Sequence, residues 1–186
     1  MDDMNIHATP LAGLHEICYT PVRDRRGCFT RLFCEQELAV IRPDLHFSQI
    51  NLSETCSRGT LRGLHYQAPP VAEAKLIRCL RGRVFDVTVD LRADSSTFLH
   101  WFAVELAEDN DRGIFIPEGF AHGFQALVDD VQLLYMHTVP WTPTCEAGLP
   151  HDDPRLGIDW PLPVADLSER DRSYASIGAG WRGVVL

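Results

Sequence analysis

Apolar and polar residues alternate with a period of two through the middle of the chain. In VFDVTVDLR, residues 84–92, Phe85, Val87, Val89 and Leu91 fall on one face and Asp86, Thr88 and Asp90 on the other. That spacing is a strand's, because successive Cβ atoms point to opposite sides of the pleat. WFAVEL, GIFIPEGFAHGFQAL and VQLLYMHTV follow at short intervals, separated by Asp, Asn, Gly and Pro, the residues of turns. Many short strands joined this way predict an antiparallel sandwich or barrel. Helical periodicity is scarce, with CEQELAVI from Cys34 and a short turn in LSERDRS from Leu167 as its two candidates. Towards the start, TPLAGLHEICYTPVRDRRGCFTRLF predicts one or two strands and a turn at Asp24 to Gly27. From Pro140 onward, Pro, Asp and Gly predict a loop-rich tail wrapped over the barrel. A strand at the chain start is free to pair with a neighbouring subunit, which raises the expectation of a dimer.

Composition bounds what such a chain can do. At 186 residues and 45% hydrophobic content it reads as one domain spanning 1–186, long enough to bury a core without disulfides or metals. No apolar run approaches a membrane span, and MDDMNIHATP lacks a basic-then-apolar leader, so the chain reads as cytosolic with no membrane partner. A formal charge of −9 argues against nucleic acid, since phosphate backbones need a basic face. A small anionic ligand remains compatible, because local clusters can oppose the global sign. Six scattered cysteines without a C-x-x-C pair read as free thiols.

Against that acidic background, LRGLHYQAPPVAEAKLIRC gathers Arg62, His65 and Lys75 in one strand-loop-strand unit. Such groups repel one another, so their gathering suits a surface that meets an anion or a developing negative charge. His65 titrates near neutrality and fits a general base; the alternative is a buried histidine satisfied by backbone. Lys75 fits an ammonium aimed at an oxygen that turns negative during proton abstraction; the alternative is an exposed strand lysine. Arg62, next to Gly63, fits a phosphate partner or a surface salt bridge. In IPEGFAHGFQAL, His122 shares a strand face with Phe124 and Ala126 and lines a barrel interior or caps its mouth. In LLYMHTV, Tyr135 and His137 share a face, making Tyr135 either a proton donor or a core tyrosine with its hydroxyl at the rim. Asp171 could accept from a histidine N–H and fix its tautomer, or belong to a helix cap with Ser168. His65, Glu73 and His122 are spaced like a partial cupin metal set. Gln67 replaces the usual second histidine, and Lys75 would repel a cation, so no metal is expected.

RGCFTRLF, SQINLSETCSRGTLRGLHYQAPP, AKLIRC, VFDVTVDLR, IPEGFAHGF and DDPRLGIDWP, in that order, resemble the nucleotide-sugar 3,5-epimerases typified by dTDP-4-dehydrorhamnose 3,5-epimerase. The resemblance runs from about Asp24 to Asp171. It implies a mostly β fold, a cupin-type jelly-roll (double-stranded β-helix) barrel with few short helices. It also implies a homodimer and catalysis without metal or cofactor. By the same resemblance His65 is the base and Asp171 its dyad partner. Tyr135 delivers a proton from the opposite face, and Lys75 lies close to the sugar 4-keto oxygen. Arg26, Gln49, Asn51, Arg62, His122, Glu146 and Arg170 match positions that contact a nucleotide-diphosphate sugar, and the family's crossing N-terminal strands raise the expectation that Arg26 serves the other subunit's site. Two positions depart from the pattern. Arg31 stands where relatives often have Glu, and Trp141 where they stack a tyrosine on the base. CDP- or GDP-linked sugars therefore stay open beside dTDP, as does inversion at C3 alone or C5 alone. A non-catalytic sugar-binding cupin and a metal-dependent cupin are the alternatives from other classes.

Overall fold

A computed structural model describes residues 4–186. The chain forms thirteen strands and two helical turns among these residues. Strands β1 (Met4–Ala8), β2 (His15–Tyr19), β5 (Gln49–Thr55), β7 (Lys75–Arg81), β10 (Arg112–Ile116) and β12 (Val131–His137) make an antiparallel sheet in the order β1-β2-β10-β7-β12-β5. Strands β6 (Leu61–Gln67), β8 (Arg83–Asp90), β9 (Trp101–Ala107), β11 (Phe120–Ala126) and β13 (Glu146–Gly148) make a second, ordered β13-β6-β11-β8-β9. A small hairpin, β3 (Val22–Asp24) with β4 (Gly27–Phe29), stands apart, its turn where the sequence places it. β1 pairs with β2 of the same chain.

The two sheets enclose a core of inward residues that includes Ile77, Cys79, Val84, Leu106, Ile114, Phe124 and Leu133. Each sheet is also covered outside. Met4, Ile17, Leu38, Leu45, Leu76, Phe115 and Met136 pack over the six-stranded sheet. Leu149, Leu156, Ile177 and Val184, from the tail after Pro140, pack on Val87, Val89 and Leu91 of the five-stranded sheet. The alternation in β8 thus has an unexpected sense. Its apolar face turns outward beneath the tail, and Asp86, Thr88 and Asp90 are buried on the other face. The predicted tail accounts for this, because an outer face covered by chain must be as apolar as a core.

Both helix candidates form as single turns, α1 (Glu35–Leu38) and α2 (Glu169–Arg172). Among the described residues no helix is long and apolar enough to cross a membrane. All six cysteines are free thiols.

β6 and β11 approach unusually closely at Gly63. Its φ of +130° is a conformation L side chains rarely adopt, and an added Cβ would lie 2.5 Å from Gly123 Cα and 2.9 Å from the His122 carbonyl. Strain and overlap together should cost about 2–4 kcal/mol. Gly63→Ala is therefore expected to lower Tm by roughly 10 °C and to displace His65, two residues on. A differential scanning calorimetry trace matching wild type would show that the strands can separate freely.

Candidate active site

Inward positions change from apolar to polar along the strands. In β7 the run Cys79, Ile77, Lys75 ends in a cation; in β12 Val131 and Leu133 give way to Tyr135 and His137. At this end lies a cavity of about 630 Å³ lined by both sheets, within the range of small-molecule sites. His65 on β6 and His122 on β11 line the five-stranded side, with Asp171 from α2 behind His65; Lys75 on β7, Tyr135 and His137 on β12, and Asn51 on β5 line the six-stranded side.

His65 Nε2 lies 2.7 Å from Asp171 Oδ1, and Asp171 Oδ2 accepts the Gly63 N–H at 3.2 Å. Burial alone would raise the Asp171 carboxyl. The hydrogen bond from His65, with the Gly63 and Ser168 contacts, outweighs that and holds it below the usual carboxylate range. An ionised Asp171 requires the hydrogen on His65 Nε2, which leaves the free lone pair on Nδ1. The capping alternative holds at the same residue, since the Asp171 backbone N–H donates to Ser168 Oγ at 3.0 Å. One turn thus anchors its own N-terminus and aims a carboxylate at His65.

Across the cavity, burial and then the nearby Asp86 carboxylate push the Tyr135 phenol well above its ordinary value, so it keeps its proton at neutral pH. Its ring meets His122 edge-on at 5.9 Å and stacks with His137 at 6.0 Å. His122 Nε2 is 2.8 Å from Asp86 Oδ2. Lys75 Nζ is 2.9 Å from Glu73 Oε1.

The mouth is more open. Trp141 is 55% exposed, and its backbone N–H donates to Gln49 Oε1 at 3.1 Å. Arg170 Nη1 donates to Glu146 Oε1 at 2.7 Å. Arg62 lines the wall while donating to the Glu54 carbonyl at 2.8 Å. A base tied to a carboxylate, a protonated phenol opposite it, and cations with an open indole at the rim suit proton abstraction from an anionic, ring-bearing ligand.

A family model described as dTDP-4-dehydrorhamnose 3,5-epimerase matches residues 8–178. The chain belongs to that family. It is 45% identical to the dTDP-4-dehydrorhamnose 3,5-epimerase of Methanothermobacter thermautotrophicus over 81% of this chain and 82% of that protein. It is 36% identical to the dTDP-4-dehydrorhamnose 3-epimerase of Streptomyces niveus, over 91% of this chain and 82% of that one. The structure is similar to that of dTDP-6-deoxy-D-glucose-3,5-epimerase from Legionella pneumophila in complex with dTDP-4-keto-L-rhamnose. That similarity has a TM-score of 0.87 at 38% identity, covering 92% of this chain and 91% of the other.

Of the residues this epimerase family suggested, His65, Asp171, Lys75, Tyr135, Gln49, Asn51, Arg62, His122, Trp141, Glu146 and Arg170 all line the one cavity. Two do not. Arg26 sits in the β3–β4 turn, ion-paired with Asp24 at 2.6 Å. Arg31 pairs with Glu37 at 2.5 Å, so its reversed charge lies outside this chain's cavity. The three side chains weighed as a metal set are committed elsewhere: His65 to Asp171, His122 to Asp86, and Glu73 to Lys75 and His137. Sequence reasoning missed Glu73 and His137 as cavity residues in their own right, and behind the wall it missed Asp86, bonded to His122, and Tyr174, whose ring packs edge-on against His65 at 6.0 Å. The period-two rule put His137 beside Tyr135 and Asp86 opposite the apolar face, a usable signal; Tyr174, in an irregular tail, left none.

Asp171 titrates below its ordinary value when folded. A depressed carboxyl stabilises the fold above its unfolded pKa, about 3.9 for Asp, and that contribution disappears as pH falls through the lower folded value. Thermal stability should therefore hold from pH 7 to about 5 and decline below about pH 4, with a shallower decline in Asp171→Asn. Parallel melting curves for the two proteins would show that the carboxylate carries no folding linkage.

Proposed function

We propose that this chain inverts C3 and C5 of a dTDP-linked 4-keto-6-deoxy hexose, with His65 as the base, Tyr135 as the acid and Lys75 at the keto oxygen. The observation that carries this reading is the placement of base and acid on opposing sheets. A hexose held between them presents one ring face to His65 and the other to Tyr135, as inversion requires.

The 4-keto group makes the hydrogens at C3 and C5 acidic, because the electron pair left behind delocalises onto O4 as an enolate. His65 takes the hydrogen through Nδ1 while Asp171 balances the imidazolium that forms. The Lys75 ammonium meets the charge growing on O4. Tyr135 then gives its proton to the opposite face of the same carbon, the enolate collapses to the ketone, and the stereocentre is inverted. Tyr135 enters the step protonated, its phenol held neutral by burial and Asp86.

Trp141 offers its indole face to the nucleobase, and Arg62 and Arg170 match a diphosphate. The dTDP-sugar epimerases to which the chain is similar favour dTDP as the nucleotide. A diphosphate sugar does not cross an apolar bilayer unaided, which suits a cytoplasmic enzyme. Ile50 and Leu52, two residues apart on the edge strand β5, are 63% and 54% exposed, apolar area that supports a homodimer. Light scattering should give about twice the 21.0 kDa chain mass; one chain mass would remove the dimer from this reading.

Solvent-deuterium exchange into dTDP-4-keto-6-deoxyglucose, followed by proton NMR, tests the chemistry. Wild type should erase both the C3 and C5 proton signals, and His65→Ala should slow this by about 10²–10⁴-fold. Tyr135→Phe should exchange without efficient inversion. Loss of the C3 signal alone would make this a 3-epimerase. No exchange at either carbon would leave a sugar-binding barrel without this catalysis.

A further inference from the structure

Of the chain's 17 Lys and Arg residues, one is lysine. That residue, Lys75, is 7% exposed and lines the cavity. The remaining cations are arginines, so the protein's single side-chain ammonium is buried. Burial favours the neutral amine. Arg62 and His65 on β6, His122 on β11 and His137 on β12 share its cavity, and any positive charge among them pushes the same way.

The opposing group is Glu73, in the loop leading into β7. Its Oε1 is 2.9 Å from Lys75 Nζ and its Oε2 is 2.8 Å from His137 Nδ1. His137 pairs with Lys75 across the β7–β12 ladder, which sets both on one face. The far nitrogen of His137, Nε2, lies 3.3 Å from Asn51 Nδ2, and its ring stacks on Tyr135. Burial alone would raise the Glu73 carboxyl; the hydrogen bond from His137 and the charge of Lys75 outweigh it and keep Glu73 ionised. An ionised Glu73 fixes the hydrogen on His137 Nδ1. The carboxylate is thereby held at both oxygens by two different strands.

We propose that Glu73, braced by His137, is a positioning residue that holds the Lys75 ammonium on the cavity wall and keeps it charged. The proposal rests on the reading of Lys75 at the keto oxygen. An ammonium has three N–H bonds. Glu73 takes one, and the others are free to meet an oxygen. Without Glu73 a buried amine would shed its proton more readily. It could then only donate a neutral hydrogen bond to the enolate, a weaker contact than a charged one.

The single lysine makes this directly measurable, because protein labelled with ¹³C,¹⁵N-lysine gives one side-chain ammonium signal. In Glu73→Gln, which keeps the shape and removes the charge, that signal should titrate about one pH unit or more below wild type. The basic limb of kcat for C3 and C5 exchange should move down with it, while KM stays within about two-fold, as for an interaction made mainly in the transition state. His137→Leu, which leaves Glu73 in place but unbraced, should move the signal the same way by less. Titrations in Glu73→Gln and His137→Leu identical to wild type would overturn the proposal. A shifted lysine signal with an unshifted rate profile would keep Glu73's hold on the ammonium and overturn Lys75's part at the keto oxygen.

Discussion

Ionisable side chains can face one another between two β-sheets only if each has a partner, and this constraint organises the molecule. An unpaired charge in that position would be destabilising by several kcal/mol. The polar half of the interior is accordingly built of pairs: His65 with Asp171, His122 with Asp86, and Lys75 with Glu73 and His137. The pairs His65–Asp171, His122–Asp86 and Glu73–His137 join different pieces of chain, so they also tie together the elements around the cavity. Paired polar groups contribute little net stability. That shifts the burden to the apolar half of the interior and to the two outer faces, covered by the N-terminal segment with α1 and by the long tail.

This division explains what the sequence discloses. Strands are legible because period two survives whichever face is buried, and the turn residues between them are unambiguous. Direction is not. VFDVTVDLR reads as a strand with an apolar side, yet nothing within it says that Val87 and Val89 point outward under Leu149 and Ile177 while Asp86 points inward to His122. Which face is interior depends on a tail sixty residues later. The same limit applies to Lys75. The sequence marks it as a cation among apolar residues but cannot supply its counter-charge, because proximity of Glu73 by two residues does not say that both side chains turn into one cavity.

Cavity residues were legible where a motif fixes them and obscure where the tertiary fold does. LRGLHYQ carries its own geometry, since only glycine fits at position 63 against Gly123, and His65 follows at a set distance. Asp171 shows how two local readings merge. Ser168 caps α2 through the Asp171 backbone N–H while the side chain reaches His65, a double use that spacing alone could not distinguish. Arg26 and Arg31 show the reverse. Both lie outside this chain's own cavity, each ion-paired locally, with Asp24 and Glu37.

The geometry also bears on why inversion suits this architecture. A base acting alone can remove and return a hydrogen on one face, which exchanges it without changing configuration. Inversion needs a second donor on the other side of a flat enolate, and two facing sheets supply opposed walls by construction. The donor must also hold its proton until the enolate forms. In the proposed reaction Tyr135 would fill that place: burial and the nearby Asp86 both favour its neutral phenol. His65, on the facing sheet, has the Asp171 carboxylate beside it, a partner that Tyr135 lacks. The proposed reaction would thus draw on two unlike environments, one that pairs an imidazole with a carboxylate and one that keeps a phenol neutral.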